Sequence, residues 1–417
     1  MSPVISASVL VAVLLGISGA CAEGQQERTP IEPGTQEVGD EEIELFVQAP
    51  GSKSVEDEQA KLAARLPGRL AEPRILHTGT LLEDGRLVVI GGKGPVTMSA
   101  RTGPTAGTEI FDPAVGDWTI TAEMPLAREN HRAVLLKDGR ILVTGGRGST
   151  SYPLSGAIFD PKAGTWLRAA DMNSGRSIHT ATVLPDGRVL VAGGKTAFYL
   201  DSSEMYDPAT DAWNDTGTMS AQKAWHRATL LADGRVLVTG GKRSGIQAIA
   251  EVEIFDPASG QWSTAAGMAT ARNSHTASLL ADGRVLVVGG YGTDKNPVET
   301  AEIFDPATEK WTSAGVLLKA RSGHTATVLP DGQVLVVGGI GEHTATEIYE
   351  PEDGSWSSAG DLNSPRYQHT AALLSDSTVM ITGGLEGGEN GGRSSTVEIY
   401  DPSTDTWLAV GGPVTAE

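Results

Sequence analysis

A pattern of about 50 residues recurs seven times along the chain and constrains its fold more than any other feature. One copy runs from His275 to Trp311 and contains a histidine, an Asp-Gly pair, a Gly-Gly pair, an Asp-Pro pair and a tryptophan, in that order. A fixed period of this length indicates one structural unit that is copied along the chain. The histidines that set the register are His77, His131, His179, His226, His275, His324 and His369.

Each copy predicts four short antiparallel strands. In the fifth copy, residues 276–280 and 285–288 are apolar or β-branched runs, and Asp282-Gly283 between them favours a two-residue hairpin turn. Residues 301–304 lead to Asp305-Pro306, which suits a type I turn, and a fourth strand begins at Trp311. Such units bury their faces by stacking radially. The sequence therefore predicts an all-β fold, a seven-bladed β-propeller of four-stranded antiparallel blades.

The repeat resembles that of Kelch proteins. The Gly-Gly pair, the Tyr or Phe before Asp-Pro and the spaced tryptophan are the marks of that family, and they cover roughly residues 73–417. The letters H-T-A-T-V-L-P-D-G at His179 and His324 also resemble the bacterial galactose-oxidase-like branch of Kelch proteins. The seventh copy has Asp376-Ser377 for Asp-Gly, and the sixth has Glu350 for the turn Asp. A turn absorbs either change, so we expect seven blades.

The first 72 residues do not share the repeat. An apolar run at residues 4–17 predicts a signal peptide over residues 1–20. The stretch Ser18-Gly19-Ala20-Cys21 resembles a bacterial lipobox, which implies that Cys21, the only cysteine, is lipidated and becomes the mature N-terminus. The expected location is then the bacterial cell envelope. Because Ala20-Cys21-Ala22 also fits an ordinary cleavage site, plain secretion or a periplasmic location stays open.

Residues 22–72 are predicted to form an acidic flexible linker. Between residues 22 and 58 there are eleven acidic side chains and two basic ones. Such a segment buries too little apolar surface to offset the entropy lost on ordering. Within it, Ser54 is placed to cap a short helix that reaches Leu66.

The formal net charge of −20 argues against nucleic acid as a partner, because phosphate binding is driven by Lys and Arg. We therefore expect contact with a membrane through the lipid anchor alone, and we expect a monomer. A single cysteine also excludes a disulfide framework within one chain.

The loops after each Gly-Gly pair and the connections that lead to each histidine are expected to share one face, called here the upper face. These loops vary in length, and binding residues usually lie in loops on a rigid scaffold. A cation lies three residues before each repeat histidine, at Arg74, Arg128, Arg176, Lys223, Arg272, Arg321 and Arg366. These cations predict a positive funnel for anionic ligands such as carboxylates. The alternative is that each one pairs with an acidic residue or caps carbonyls between blades.

Three residues that break the repeat are further candidates for ligand binding. Glu129, Trp225 and Tyr367 lie within the two positions before a histidine, where other copies have residues such as Ser, Ala, Ile or Gly. An exposed aromatic ring there would stack on a sugar or peptide, and the alternative is that it fills a gap between blades. The histidines are expected to form hydrogen bonds between blades, with no metal site, since neighbouring copies lie about 10 Å apart and zinc needs nitrogens at about 2 Å.

The sequence favours binding over catalysis. Galactose oxidase needs a cysteine crosslinked to a tyrosine at its copper, and residues 73–417 contain no cysteine. No G-x-S-x-G, P-loop or H-E-x-x-H motif is present, and no catalytic residue or cofactor is predicted. We expect a module that binds a protein, peptide or glycan. The alternative is a sugar mutarotase or isomerase at the channel mouth, with Glu129 beside Arg128 or Arg176 as the place where acid and base converge.

Overall fold

The computed structural model describes residues 68–94, 103–340, 344–387 and 392–410. The predicted signal peptide, Cys21, the predicted helix near Ser54 and the linker up to residue 67 lie outside the described residues. Within the described ranges the chain forms strands and turns without helices, arranged as seven four-stranded antiparallel sheets and one two-stranded ribbon. The predicted seven-bladed β-propeller is therefore confirmed.

Each blade uses four strands that follow one another along the chain. Blade 1 contains β1 (Thr78–Leu81), β2 (Leu87–Ile90), β3 (Thr108–Asp112) and β4 (Asp117–Ile120). Blade 2 contains β5 (Arg132–Leu135), β6 (Ile141–Thr144), β7 (Ser155–Asp160) and β8 (Thr165–Asp171). Blade 3 contains β9 (Thr180–Val183), β10 (Val189–Ala192), β11 (Ser202–Asp207) and β12 (Ala212–Thr218). Blade 4 contains β13 (Arg227–Leu230), β14 (Val236–Thr239), β15 (Val252–Asp256) and β16 (Gln261–Ala265).

The remaining three blades continue the series. Blade 5 contains β17 (Thr276–Leu279), β18 (Val285–Val288), β19 (Val298–Asp305) and β20 (Lys310–Arg321). Blade 6 contains β21 (Thr325–Val328), β22 (Val334–Val337), β23 (Thr346–Glu350) and β24 (Ser355–Ala359). Blade 7 contains β26 (Thr370–Leu373), β27 (Val379–Thr382), β29 (Val397–Asp401) and β30 (Thr406–Val410). The ribbon pairs β25 (Arg366–Tyr367) with β28 (Leu385–Glu386).

The core is divided among the seven blade interfaces. The second strand of each blade, such as β18 with the sequence VLVV, is buried along its whole length because a neighbouring blade covers each of its faces. The tryptophan of each fourth strand packs on the aromatic residue of the third, as Trp311 does on Phe304 with ring centroids 5.1 Å apart. In six of the seven blades the indole N–H also donates to the preceding blade, as that of Trp311 does to the carbonyl of Ala266 at 2.7 Å. These tryptophans thus join neighbouring blades.

The hairpin between the first and second strands differs from its prediction. The N–H of Leu280 donates to the carbonyl of Arg284 at 2.8 Å, so the loop contains three residues, 281–283. Of Asp282 and Gly283, only Gly283 has a positive φ, of 85°. The two-residue turn predicted from Asp-Gly is therefore wrong, because a type I turn followed by a left-handed glycine is adopted. The Asp282 carboxylate holds this loop by accepting from the backbone N–H and Nε of Arg284, at 3.0 and 2.6 Å.

Among the described residues, the ring closes without a strand exchanged between the termini, through packing and through backbone hydrogen bonds such as that from Leu70 N–H to the Ser395 carbonyl at 2.9 Å. Blades 1 and 7 each contain only strands from their own end of the chain. Leu70 and Leu87 form one hydrophobic cluster with Met380 and Val397 across this last interface. Leu70 is 3% exposed, so the ring begins at least three residues before the predicted boundary at 73.

The seventh blade provides a test of backbone strain. Ser377 occupies the left-handed position that glycine holds in the other six hairpins, with a φ of 71°. Ser377→Gly should stabilise the ring by up to about 1 kcal/mol, because it removes the contact between Cβ and the backbone at positive φ. Thermal or urea unfolding would measure the change. Ser375→Gly, in the same loop at a negative φ, is the matched control and should give no gain; an equal gain in both variants would contradict this explanation.

Candidate functional site

The cations that precede the repeat histidines lie inside the blades. All seven are 0–1% exposed. Six form an ion pair with a glutamate of the third strand, as Arg272 does with Glu302 at 2.7 Å. The other five pairs are Arg74 with Glu109, Arg176 with Glu204, Lys223 with Glu253, Arg321 with Glu347 and Arg366 with Glu398. This arrangement matches the pairing alternative, and none of these cations lines the mouth of the channel.

Glu129 is also placed away from the channel mouth. It is 7% exposed, and its backbone pairs with that of Arg147 through N–H to carbonyl distances of 3.0 and 2.8 Å. Burial lowers the pKa of Arg393, and the negative charge of Glu129 offsets part of that effect. Arg128 and Arg176 are held within their own blades, so the structure does not bring Glu129 and these arginines together over the cavity described below.

The repeat histidines connect neighbouring blades. Each one is buried, and its Nε2 shares a hydrogen bond with a threonine hydroxyl of the preceding blade. The pairs are Thr78 and His131 (3.0 Å), Thr144 and His179 (2.9 Å), Thr180 and His226 (3.2 Å), Thr239 and His275 (2.8 Å), Thr276 and His324 (3.0 Å), Thr325 and His369 (2.9 Å), and Thr370 and His77 (3.1 Å). Among the described residues, no three His, Cys, Asp or Glu side chains are grouped so as to hold a metal ion.

The residues directly before the histidines form a collar around the channel mouth. They are Leu76, Asn130, Ile178, Trp225, Ser274, Gly323 and Gln368, and all seven have a positive φ between 53° and 65°. Backbone hydrogen bonds run from blade to blade along the collar, as from Ser274 N–H to the Trp225 carbonyl at 3.0 Å. A β-branched residue such as Ile178 in this conformation is strained, and such strain is concentrated at functional sites.

A cavity of about 210 Å³ opens inside the collar. Residues of all seven blades line it, which places it on the axis of the ring. Trp225 and Tyr367, both predicted from the sequence, are part of the lining, and Tyr291 lies with them. We call this space the central cavity.

Arg132 and Arg227 are the charged residues of the central cavity that the sequence analysis missed. Each follows a repeat histidine directly, and each uses Nε to donate to the carbonyl of the next blade's histidine: Arg132 to His179 at 2.7 Å and Arg227 to His275 at 2.6 Å. Burial, and then the charge of Arg227, lower the pKa of Arg132 to about 10, so Arg132 is charged at neutral pH; burial also lowers the pKa of Arg227. Within the described part of the chain, the cavity lining contains no Asp or Glu to neutralise them.

In the two blades that carry these arginines, a threonine at another position makes the contact with the next histidine. Five blades have threonine at the position of the arginine, and its hydroxyl contacts the next histidine. In blade 2, Thr144 lies opposite Arg132 on the neighbouring strand and makes that contact instead. Thr239 does the same opposite Arg227 in blade 4. The sequence signal is a pair of changes in blades 2 and 4. Arginine replaces threonine directly after the histidine, and threonine directly precedes the Gly-Gly pair.

The rim beside blades 3 and 4 adds positive charge and aromatic surface. The Nζ atoms of Lys195 and Lys242 lie 5.5 and 5.7 Å from the ring centroid of Trp225, within the range of cation–π attraction. Lys195 also lies 5.4 Å from the ring centroid of Tyr199. Trp225 is half-buried and lines the central cavity, so the two lysines lie near the edge of that cavity.

Seven four-stranded blades, joined by paired glycines and a recurring histidine, define a β-propeller of the Kelch type. The chain belongs to the family described as the Attractin/LZTR1 beta-propeller, whose family model matches residues 199–416, just over half of the chain. No curated protein matches the chain. The described ranges contain no helix, and therefore none that is long and apolar enough to cross a membrane.

A solved structure supports the same fold. It is described as a novel fungal alcohol oxidase with catalytic diversity among the AA5 family, in complex with copper, and it is similar to this chain with a TM-score of 0.61. The sequences are 20% identical, and the match covers 79% of this chain and 74% of that one. At this identity the similarity shows the fold alone.

The buried histidines predict acid sensitivity. Burial, reinforced by nearby cations, lowers the pKa of His77, His131 and His369 to about 3 and that of the other four well below the usual 6.5. The unfolded chain binds protons near pH 6.5, so stability is fully present above that pH and is lost as the pH falls toward 3.

We expect the seven buried histidines to take up about six protons from the solvent when the ring unfolds near pH 5.5. Calorimetry in buffers of different ionisation enthalpy measures this number, and His179→Gln should lower it by about one. A stability that does not change between pH 7 and pH 5 would contradict the assignment.

Proposed function

We propose that this propeller is a binding module that takes a carboxylate-bearing ligand, an acidic peptide or an acidic glycan, into its central cavity. The observation that carries the proposal is that Arg132 and Arg227 line one cavity whose described lining has no acidic side chain. The protein as a whole has a net charge of −20, so a positively charged cavity is the opposite of what its average charge predicts. A positive pocket between low-dielectric walls attracts anions strongly.

The two guanidinium groups have capacity left for a ligand. In each one, the described residues use only Nε, for the histidine carbonyl. That bond fixes the orientation of the planar group, and the two Nη nitrogens are left to form charge-assisted hydrogen bonds with a carboxylate. Both side chains are half-buried, so these bonds are less screened than they are at an open surface.

The aromatic residues of the cavity fit the rest of such a ligand. Trp225, Tyr291 and Tyr367 provide flat surfaces on which a sugar ring or a peptide packs. The upper-face loops around the cavity supply further contacts for a larger partner. Binding of a protein segment is consistent with the Kelch-type fold, and Trp225 and Tyr367 keep the ligand-binding role proposed for them.

An enzyme of the mutarotase or isomerase kind has less support. The described lining contains no carboxylate to act as a general acid or base. Its histidines have their pKa lowered by burial and use Nε2 for a threonine, which leaves them poorly suited to accept a proton from a substrate. Binding is therefore the function that these residues support best.

For location we propose an extracytoplasmic protein anchored in the bacterial cell envelope through a lipid on Cys21. The support is the sequence around residues 4–21, where a short apolar run ends in the only cysteine. A lipid anchor would hold the ring at a membrane surface, where its central cavity meets ligands from the surroundings.

The arginine pair gives the central test of the binding proposal. Arg132→Thr and Arg227→Thr install the residue that five other blades carry, so the ring should fold normally. Each change should weaken binding of acidic ligands about 10- to 100-fold, because one charge-assisted hydrogen-bonding group is lost. Calorimetry with polyglutamate peptides and oligogalacturonates, each compared with its uncharged counterpart, measures the effect.

Arg188→Thr is the matched control for these variants. Arg188 lies in the hairpin between β9 and β10, where it pairs with Asp186, and it does not line the central cavity, so its loss should leave binding unchanged. Equal affinity of the wild type for charged and uncharged ligands would contradict the proposal. So would full retention of acidic-ligand binding by the Arg132→Thr, Arg227→Thr double variant.

The lipid anchor is tested separately. Cells that express the full chain and grow with labelled palmitate should incorporate label into the wild type and not into Cys21→Ser, because only the cysteine thiol accepts the diacylglycerol. After fractionation, the wild type should appear in the membrane pellet and the Cys21→Ser variant in the soluble fraction. An unlabelled wild-type protein would contradict the lipid anchor.

A further inference from the structure

One buried arginine lacks the carboxylate that its counterparts have. In blades 1 and 3–7 the cation before the histidine pairs with a third-strand glutamate, and in blade 5 this glutamate is Glu302, opposite Val287. The same register position in blade 2, opposite Val143, is Ala157. Arg128 is nevertheless 1% exposed, as deeply buried as the paired arginines.

The contacts of Arg128 show which nitrogen is left over. Nη1 donates to the carbonyls of Gly145 and Ser155 at 3.0 and 3.1 Å, and Nε donates to the Leu126 carbonyl at 3.3 Å. In the other arginine-bearing blades, Nη2 is the atom that holds the glutamate. The hydrogen bonds that Arg128 makes to described residues use Nη1 and Nε only.

The backbone around this position has changed together with the side chain. In blade 5 the Glu302 carboxylate also accepts the N–H groups of Ala269 and Thr270, at 2.7 and 3.0 Å. The corresponding residues in blade 2 are Pro125, which has no N–H, and Leu126, which keeps one. Blade 2 thus keeps, at the corresponding positions of the repeat, a guanidinium nitrogen and one amide N–H of the donors that hold a carboxylate in blade 5.

No carboxylate of the described residues neutralises the positive charge of Arg128. Burial lowers its pKa only to about 10, so it is charged at neutral pH, and no carboxylate contributes to that pKa. Glu129, the next residue, exerts its electrostatic effect on Arg393 instead. A buried cation with an unused donor is costly unless an anion or a strong acceptor meets it.

We propose that blade 2 binds a small monovalent anion, of the size of chloride or formate, between Arg128 Nη2 and the Leu126 N–H. The anion replaces the glutamate carboxylate that the other six blades carry in their own sequence. This site lies within the blade and apart from the central cavity, so it does not depend on the proposed ligand. Its ligand chemistry is that of a single negative charge with two hydrogen-bond donors.

The first test compares salts on the full chain. At constant ionic strength, the melting temperature in sodium chloride should exceed that in sodium gluconate, whose anion is too large for the site, by about 1–3 °C. Ala157→Glu supplies the carboxylate from the chain and should remove this difference. Equal melting temperatures of the wild type in both salts, or a chloride effect that persists in Ala157→Glu, would overturn the proposal.

A second variant tests the same idea in another blade. Glu302→Ala in blade 5 leaves Arg272 with two amide N–H groups and no carboxylate. Its loss of stability should be partly reversed by chloride or formate, with a larger dependence on the anion than in the wild type. No such dependence in Glu302→Ala would show that the arrangement of donors does not select an anion.

Bromide gives a direct readout that does not depend on any variant. Crystals of the full chain soaked in sodium bromide should show an anomalous peak within hydrogen-bonding distance of Arg128 Nη2. The six paired positions in the same crystal serve as internal controls, since their carboxylates exclude an anion. A peak at none of the seven positions, or peaks at paired and unpaired positions alike, would overturn the assignment.

Discussion

The ring depends on one hydrogen bond repeated at every blade interface. The second glycine of each Gly-Gly pair donates its N–H to the carbonyl of the next blade's cation, as Gly146 does to Arg176 at 2.8 Å, and Gly384 closes the circle on Arg74 at 3.0 Å. The close approach explains the paired glycines, since a Cβ on Gly145 would lie 2.3 Å from the same Arg176 carbonyl. Because this bond places each cation beside its own third strand, the ion pairs and the histidine contacts follow from it.

The repeat made the fold predictable, because the same side chains solve the same packing problem seven times. Periodic histidines, glycines and tryptophans were enough to give the blade count and the order of strands. The hairpin loop was misjudged, since Asp282-Gly283 fits two turn types and only the Asp282 contact with Arg284 decides between them. Local geometry of this kind depends on a side chain outside the dipeptide.

The site was harder to predict, because the repeated cations looked like a binding funnel and turned out to be internal. The information was present in the sequence: a glutamate precedes the third-strand aromatic residue in six copies, at the register that meets the cation, as Glu302 precedes Phe304. A charge repeated in every blade with a repeated counter-charge belongs to the scaffold. What the sequence alone could not show is which of Trp225, Glu129 and Tyr367 face the axis, since that depends on the left-handed turn before each histidine.

Departures from the repeat therefore differ in meaning according to whether a second change accompanies them. Arg132 displaces a threonine, and Thr144 across the strand pair restores the lost contact, so the substitution leaves the scaffold intact and adds a charge to the central cavity. Ala157 removes a carboxylate, and no neighbouring side chain in the described part of blade 2 restores it, so a buried charge is left for something outside the chain to neutralise. The first kind of change places a group where a ligand meets it from solution. The second leaves a requirement inside the blade, and both are visible only because the other copies define what each position does by default.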